Sequence, residues 1–527
     1  MTTLDVGRAH SKFGVLLTAS LVSSLMMLDS NIVAVALPAI GRSLQASFTS
    51  IQWIISAYVL TYAALLMAAG NFADLYGRRQ AMIFGLVVFA LASAVCGIAP
   101  SVVVLNLARA MQGVGGALLV TASLAIISHD FAGEERAGAF AFWGAALGIA
   151  LAVGPIVGGV ITNLIGWRWI FLVNLPLSAV LVVATLRFVE ESRDPSAKRL
   201  DFAGIGTFSL GLALLVWALI DGNDDGWTSA SVLLRIAVAS AAFGGFIVVE
   251  SRQPRPMVDF ALFRRRTFLG SVLAMIGYGA SAQVMVFFLP FFLQNAYGFD
   301  PMTAGFAMLP FAIPMVLAPR ITSWLATRFS GRALLTVGLV ITLAANLTFW
   351  TIARAHLPYQ DFVAAMILAG CGAGLLNGQT VKVLGGAVPP DRAGMASGLA
   401  STTRFIGILV SVAGMGAILA HAVDVTFTGP ARAAGLDATS AAAAAKSVTA
   451  GDLPHMLQSV APGVRATLEA AGLTSFASGF ATATLAAAGV AVVAALFTFF
   501  LVSAAETAPS DTHKKRPCKF VDCRDPL

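Results

Sequence analysis

Charge is scarce in this chain. Asp, Glu, Lys and Arg make up only 11% of 527 residues while 58% are hydrophobic, against roughly a quarter charged in an ordinary soluble domain. A water-soluble globular protein is excluded, and the chain reads as an integral membrane protein. Cysteine is rare as well, with four in all. Cys96 and Cys371 fall in apolar runs, whereas Cys518 and Cys523 fall in the polar tail "HKKRPCKFVDCRDPL", which also holds His513; their spacing matches no strong zinc pattern, so no metal is expected. Only six histidines occur, none in a metal-ligand pattern within an apolar run, which argues against a membrane enzyme. No Gly-Lys dipeptide exists, so there is no Walker A loop to cradle nucleotide phosphates. No cofactor is expected, and any transport must run on an ion gradient.

Long apolar runs are abundant. A helix rising about 1.5 Å per residue needs about 20 residues to cross a hydrocarbon core of about 30 Å. Such runs fall near 13–38, 51–70, 80–98, 101–127, 138–162, 169–188, 203–220, 232–250, 268–292, 302–324, 333–353, 362–388, 396–420 and 475–502. The first is too long and too polar at its outer end for a cleaved leader and reads as retained. The basic clusters "RFVEESRDPSAKRLD" (187–201) and "FRRRTF" (263–268) alternate with the acidic turn "DGNDDGWTS" (221–229). Because cytoplasmic loops collect Lys and Arg, both termini are expected in the cytoplasm of a multi-pass protein of the plasma (inner) membrane. The net charge of +7 is then an orientation signal on the membrane face and gives no reason to expect nucleic-acid binding.

Short stretches recur at a slowly drifting offset. The Leu37-Pro38 pair returns 252 residues later at Leu289-Pro290, Gly77-Arg78 returns after 254 at Gly331-Arg332, and Arg136 in "EERAGAF" returns after 256 as Arg392 in "PDRAGMA". The expected architecture is all-α: a six-helix half over 13–188, two extra helices over 203–250, and a second six-helix half over 268–502. That second half would contain a long outer loop, 421–474, and a cytoplasmic tail, 503–527, would follow it. Repeated halves of this kind place the substrate site at their interface, near the bilayer midplane.

Two charges stand inside apolar runs. From Phe13 to Gly41 the one charged residue is Asp29, which on insertion scales costs roughly 2.5 to 3.5 kcal/mol at a helix centre and so calls for a partner or a wet cavity. Arg109 stands similarly in the fourth run. Asp29 lies nine residues before Pro38 and Arg109 nine after Pro100; if both prolines mark outer ends, the two charges share a depth of roughly 13 Å. They could pair or share a cavity. A helix-end or kink-stabilising Asp is the structural alternative.

Several motifs resemble the major facilitator superfamily. "GNFADLYGRR" (70–79) is similar to its G-x-L-a-D-r-x-G-R-R loop, with Phe72 for the usual Leu. Gly70 would let helices approach closely and Gly77 would turn the chain, while Asp74, Arg78 and Arg79 would form, by that resemblance, a charge network latching the halves. "LNLARAMQGVGGA" (105–117) resembles R-x-x-Q-G-x-G through Arg109, Gln112 and Gly113, where the Arg is implicated in proton coupling. "GIALAVGPIVGGV" (148–160) resembles the antiporter motif through Gly154, Pro155, Gly158 and Gly159, which implies export. "LDSNIVAVALP" (28–38) and "GWRWIFLVNLP" (166–176) narrow the resemblance to the fourteen-helix drug:proton antiporters of the EmrB/QacA type.

The resemblance implies a proton-coupled exporter of small, hydrophobic organic compounds in which Asp29 alternates between protonated and ionised forms beside Arg109. The alternative within the same fold is a proton-coupled uptake symporter. Candidates for the substrate cavity are Trp53, Tyr58, Gln112, Gln283, Phe287, Phe288, Asn377 and Arg404. The partners expected are protons, an organic substrate and the bilayer, with a periplasmic adaptor and an outer-membrane channel left open.

Overall fold

A computed structural model describes residues 3–194, 201–253, 256, 258–388, 393–458 and 460–508. Among them regular structure is helical throughout, with no strand, and fourteen helices are long and apolar enough to cross a membrane. We number them span 1 (Lys12–Leu44), span 2 (Phe48–Tyr76), span 3 (Arg78–Gly97), span 4 (Val102–Asp130), span 5 (Gly138–Leu164), span 6 (Trp169–Phe188), span 7 (Phe202–Asp225) and span 8 (Ala230–Arg252). The C-terminal set is span 9 (Arg266–Ala296), span 10 (Pro301–Leu325), span 11 (Gly331–Arg354), span 12 (Tyr359–Gly386), span 13 (Gly398–Ala433) and span 14 (Pro462–Leu501). An even number of crossings returns the chain to its starting side. We call that side the terminal face and the other the far face.

Short polar residues start the helices. Ser47, Ser101, Ser229 and Ser330 each accept a hydrogen bond from the backbone N–H three residues on, and Asp201 and Asp300 do the same for spans 7 and 10. These caps satisfy N–H groups that a helix leaves unpaired, which matters most where a membrane offers no water. Large apolar side chains such as Leu91, Leu107 and Val180 point outward, as a lipid-facing belt requires.

Helix packing in the first six spans recurs in the last six. Span 4 packs on spans 2 and 3, span 1 on span 5, and span 3 on span 6; correspondingly span 12 packs on spans 10 and 11, span 9 on span 13, and span 11 on span 14. The halves meet through span 2 against span 13, span 5 against span 10, and span 1 against span 9. Gln294 Nε2 donates to the Val35 carbonyl at 2.7 Å and Gln52 Nε2 to the Val412 carbonyl at 3.0 Å, closing the seam toward the far face. Spans 7 and 8 form a hairpin beside spans 2 and 13.

The segment 421–474, expected as a long outer loop, is mostly helical. The thirteenth helix runs on past 420 to Ala433, a separate helix covers Ala438–Ala450 with Asp437 as its cap, Leu453–Gln458 adds a short turn, and the last helix already begins at Arg465. Alanine explains the Ala438–Ala450 helix: it is the strongest helix former and loses no side-chain entropy. This segment is tied to its neighbours. Lys446 Nζ lies 2.8 Å from Asp224 Oδ1 at the end of span 7, while Thr49 Oγ1 of span 2 donates to the same carboxylate at 2.6 Å. The cysteine pair and His513 of the tail lie outside the described residues.

Span 9 departs from α geometry. Residues Gly279–Gln283 form a π turn, a rare feature found mostly at functional sites. Ser411 Oγ donates to the Ala280 carbonyl at 2.6 Å, and Asn346 Nδ2 donates to the Ser281 carbonyl at 3.0 Å.

Candidate functional site

Asp29 and Arg109 are brought together. Arg109 Nη1 lies 2.6 Å from Asp29 Oδ2, with both side chains at 1% exposure or less. The pair has further partners on four sides. Asn174 Nδ2 of span 6 donates to Asp29 Oδ1 at 2.7 Å, and Gln112 Nε2 of span 4 approaches the same oxygen at 3.3 Å. Arg109 Nη1 also donates to Gln112 Oε1 at 2.8 Å, Arg109 Nε donates to the Ile54 carbonyl at 3.1 Å, and the guanidinium carbon stands 4.2 Å from the centre of the Tyr58 ring. Gln112 and Asn174 both reach Ser93 Oγ of span 3, at 2.7 and 3.3 Å. A charge pair taken from water is tolerable only when its spare lone pairs and protons find such partners.

This geometry has a consequence for proton chemistry. If Asp29 takes a proton, the guanidinium keeps the Ile54 carbonyl, the Gln112 oxygen and the Tyr58 face. Neutralising the acid therefore does not leave a bare buried cation. Gln112 and Tyr58, expected to line a substrate cavity, are instead built into this cluster, with Gln112 fully buried and Tyr58 at 1% exposure. Asn174 and Ser93 were not singled out from sequence. Asn174 lies inside "GWRWIFLVNLP", where an asparagine in an otherwise apolar run was the available signal; Ser93 carries none.

The antiporter-motif glycines pack directly beside this cluster. A side-chain carbon at Gly154 would lie 2.7 Å from Asn31 Cβ, and one at Gly158 would lie 2.7 Å from the Ile32 carbonyl, both just after Asp29 in span 1. Carbons at Gly159 and at Gly305 of span 10 would collide with the Pro301 and Pro155 carbonyls respectively. Span 5 thus touches both the acid-bearing stretch of span 1 and the opposite half of the molecule, with glycine at each contact because backbone meets backbone there.

At the terminal face, Arg78 donates to Asp74 Oδ1 through Nε at 3.1 Å and Nη2 at 2.9 Å. Glu191, after span 6, accepts from the Arg79 and Gln80 backbone N–H groups at 3.2 Å each, and Arg79 Nη2 reaches the Leu186 carbonyl at 3.4 Å. Each of these partners belongs to the first six spans or the segment just after them. Gly77 turns the chain at φ +116°, where glycine alone is unstrained. Gly70 differs from its expected role: a side-chain carbon there would meet nothing within 4 Å, so no close helix approach depends on it in this conformation.

The other cavity candidates divide among four places. Phe287 and Phe288 line an apolar recess between the halves with Leu37, Ile55 and Val412. Trp53 points away from it, toward Asp221 of span 7. Arg404 and Asn377 face each other, with Arg404 Nη1 3.4 Å from Asn377 Oδ1, and Gln283 is buried in the π turn.

Fourteen crossings in two similarly packed halves, with a fully enclosed acid–guanidinium pair and small-residue contacts between halves, define a secondary transporter of small molecules. The chain belongs to the Major Facilitator Superfamily, whose sequence model matches residues 19–412. It is 35% identical over 403 residues, 76% of this chain and 75% of the relative, to multidrug resistance protein Stp of Mycobacterium tuberculosis (strain CDC 1551 / Oshkosh). It is 31% identical over 505 residues, 94% of this chain and 93% of the relative, to the tetracenomycin C resistance and export protein of Streptomyces glaucescens. Among solved structures, a bacterial homologue of the human lysosomal transporter Spinster, inward-facing and unoccupied, shares the fold with a TM-score of 0.60 at 16% identity, covering 93% of this chain and 97% of that one.

Proposed function

We propose that this protein is a proton-coupled exporter of small hydrophobic organic compounds, working by alternating access across the plasma membrane with its terminal face in the cytoplasm. The observation that carries the reading is the enclosed Asp29–Arg109 pair, a titratable group with a built-in fallback for its counter-ion. In the cycle we envisage, the far face opens, Asp29 takes up a proton, and the pair separates. The freed span 1 then moves against the glycines of span 5, and the halves rock until the proton leaves to the cytoplasm. A membrane potential of 100 mV supplies about 2.3 kcal/mol per charge moved, enough for roughly a fifty-fold substrate gradient. Export rather than uptake is supported by the antiporter-type packing at Gly154 to Gly159 and by relatives whose names state resistance and export.

The test is proton/substrate exchange in proteoliposomes alongside drug susceptibility of an efflux-deficient host. Wild type should raise resistance and acidify the compartment opposite to the substrate's destination. Asp29→Asn should reduce gradient-driven transport at least a hundred-fold. Equal resistance from wild type and Asp29→Asn, or substrate and proton moving in the same direction, would reject the reading.

A further inference from the structure

The second half carries a part-buried charge within a span that the proton-coupling cluster does not use. Arg404 lies in span 13, and its Nε is enclosed with no hydrogen-bond partner. Its polar contact among the described residues is the long 3.4 Å approach of Nη1 to Asn377 Oδ1, and the guanidinium carbon stands 5.0 Å from the ring of Phe405. A guanidinium offers five N–H donors in a planar fork, so most of its capacity is unspent. Among the described residues it forms no ion pair. The acids of spans 9 to 14 are Asp361, Asp424 and Glu469, all exposed and all in the far-face parts of their helices. Asp29, the acid buried in span 1, is already held by Arg109 and Asn174.

The surroundings are those of a binding site. Tyr278, fully buried and within electrostatic reach of Arg404, has a hydroxyl with no partner. It immediately precedes the π turn, whose first residue, Gly279, lies directly against the Arg404 carbonyl. From the other half, Tyr62 packs edge-on against Phe405 at 4.5 Å and stacks on Tyr58, the ring that covers Arg109. Arg404 is therefore at the seam between halves, beside aromatic faces, about one to two helical turns from the depth of the Asp29 cluster. Snorkelling to the terminal face would suit an arginine with an exposed head; here the residue is part-buried and its Nε is enclosed. Even partial burial of a cation without a counter-charge is costly, and a transported anion would supply that charge only while cargo is aboard.

Resting on the export reading above, we infer that Arg404, with Asn377 and the Tyr278 hydroxyl, forms an anion subsite, and that the preferred cargo is an aromatic or otherwise apolar body bearing one acidic oxygen group. A carboxylate, sulfonate or phenolate oxygen would accept from the Arg404 fork, the Asn377 amide and the Tyr278 hydroxyl, while its ring packed on Tyr62 and Phe405. Cationic compounds would meet an uncompensated positive charge.

Two dyes with one carbon skeleton test this: 8-anilinonaphthalene-1-sulfonate, an anion, and neutral N-phenyl-1-naphthylamine, with ethidium as the cation. Gradient-driven movement of each is measured in proteoliposomes holding full-length wild type, Arg404→Gln or Arg404→Lys, each checked for monodispersity and thermal midpoint. We expect wild type to move the sulfonate, Arg404→Gln to cut that rate at least ten-fold while changing the neutral dye less than two-fold, and Arg404→Lys to retain a third or more of the sulfonate rate. Wild type that moves the neutral or cationic dye but not the sulfonate overturns the anion subsite and leaves the export reading standing. So does Arg404→Gln that lowers both naphthyl dyes equally. Wild type that moves none of the three under a proton gradient overturns the export reading, and the subsite with it.

Discussion

Two arginines within the spans, Arg109 in the first half and Arg404 in the second, are treated oppositely: Arg109 is fully buried and Arg404 part-buried. Arg109 is closed in by a carboxylate, an amide oxygen, a backbone carbonyl and a tyrosine face, and Asp29 beside it is met by donors from spans 4 and 6. Arg404 has one long contact and an idle N–H, beside an idle tyrosine hydroxyl. The first arrangement is complete by itself and can change state by moving one proton. The second is complete only when something else arrives. On the function and subsite proposed above, the difference separates a site that stores the driving ion from one poised to receive cargo.

Stability measurements can break that comparison. The largest loss should come from Asp29→Asn, which takes the counter-charge from a guanidinium that cannot be neutralised and leaves it the Ile54 carbonyl, the Gln112 oxygen and the Tyr58 face alone. Removing one partner of a buried pair typically costs about 3 to 5 kcal/mol, and these fallback contacts place the loss toward the lower end, readable as a lowered thermal midpoint in detergent. Arg109→Gln should cost less, because the remaining carboxylate can fold protonated.

Next comes Asn174→Ala, which deletes the 2.7 Å donor to Asp29 Oδ1 and leaves that oxygen with the weaker Gln112 contact; about 1 to 3 kcal/mol is expected. The smallest effect should be Arg404→Met, within about 0.5 kcal/mol of wild type or more stable, since a part-buried cation without a counter-charge is replaced by a similar apolar shape. A loss from Arg404→Met as large as that from Asp29→Asn would mean that Arg404 is a structural charge and that the two halves are alike after all.

The sequence made some of this legible and hid the rest, for physical reasons. The spans could be read because lipid forces about 20 apolar residues into every crossing. The depth match of Asp29 and Arg109 could be read because two prolines marked the far ends of their helices and helical rise is constant. The glycines at 154, 158 and 159 could be read as close-packing positions, yet their partners, Asn31, Ile32 and Pro301, depend on which helix faces which, and that information is tertiary. Gly70 shows the reverse, a motif residue with no neighbour to approach. Ser93 and Tyr62 were invisible because a serine or tyrosine in an apolar run looks the same whether it faces lipid, core or cluster. The π turn was invisible because no composition rule marks it; what reveals it is the pair of side chains, Ser411 and Asn346, satisfying its carbonyls from other helices. The far-face segment 421–474 reads as an outer connection because its alanines are too weakly hydrophobic for a crossing; that its Ala-rich stretch forms the helix Ala438–Ala450 follows from alanine's propensity, but the extent of helix on either side of it was not legible.

The carboxylate of Asp224 gives the seventh and eighth spans a part in the machinery. It holds Thr49 of the first half and Lys446 of the second at once, so the far side cannot part without that grip being released at one end. In the cycle and orientation proposed above, the intervening hairpin would act as a brake on the stroke, and its strength would vary with the ionic strength of the medium it touches, tying the pace of the cycle to conditions at the far face.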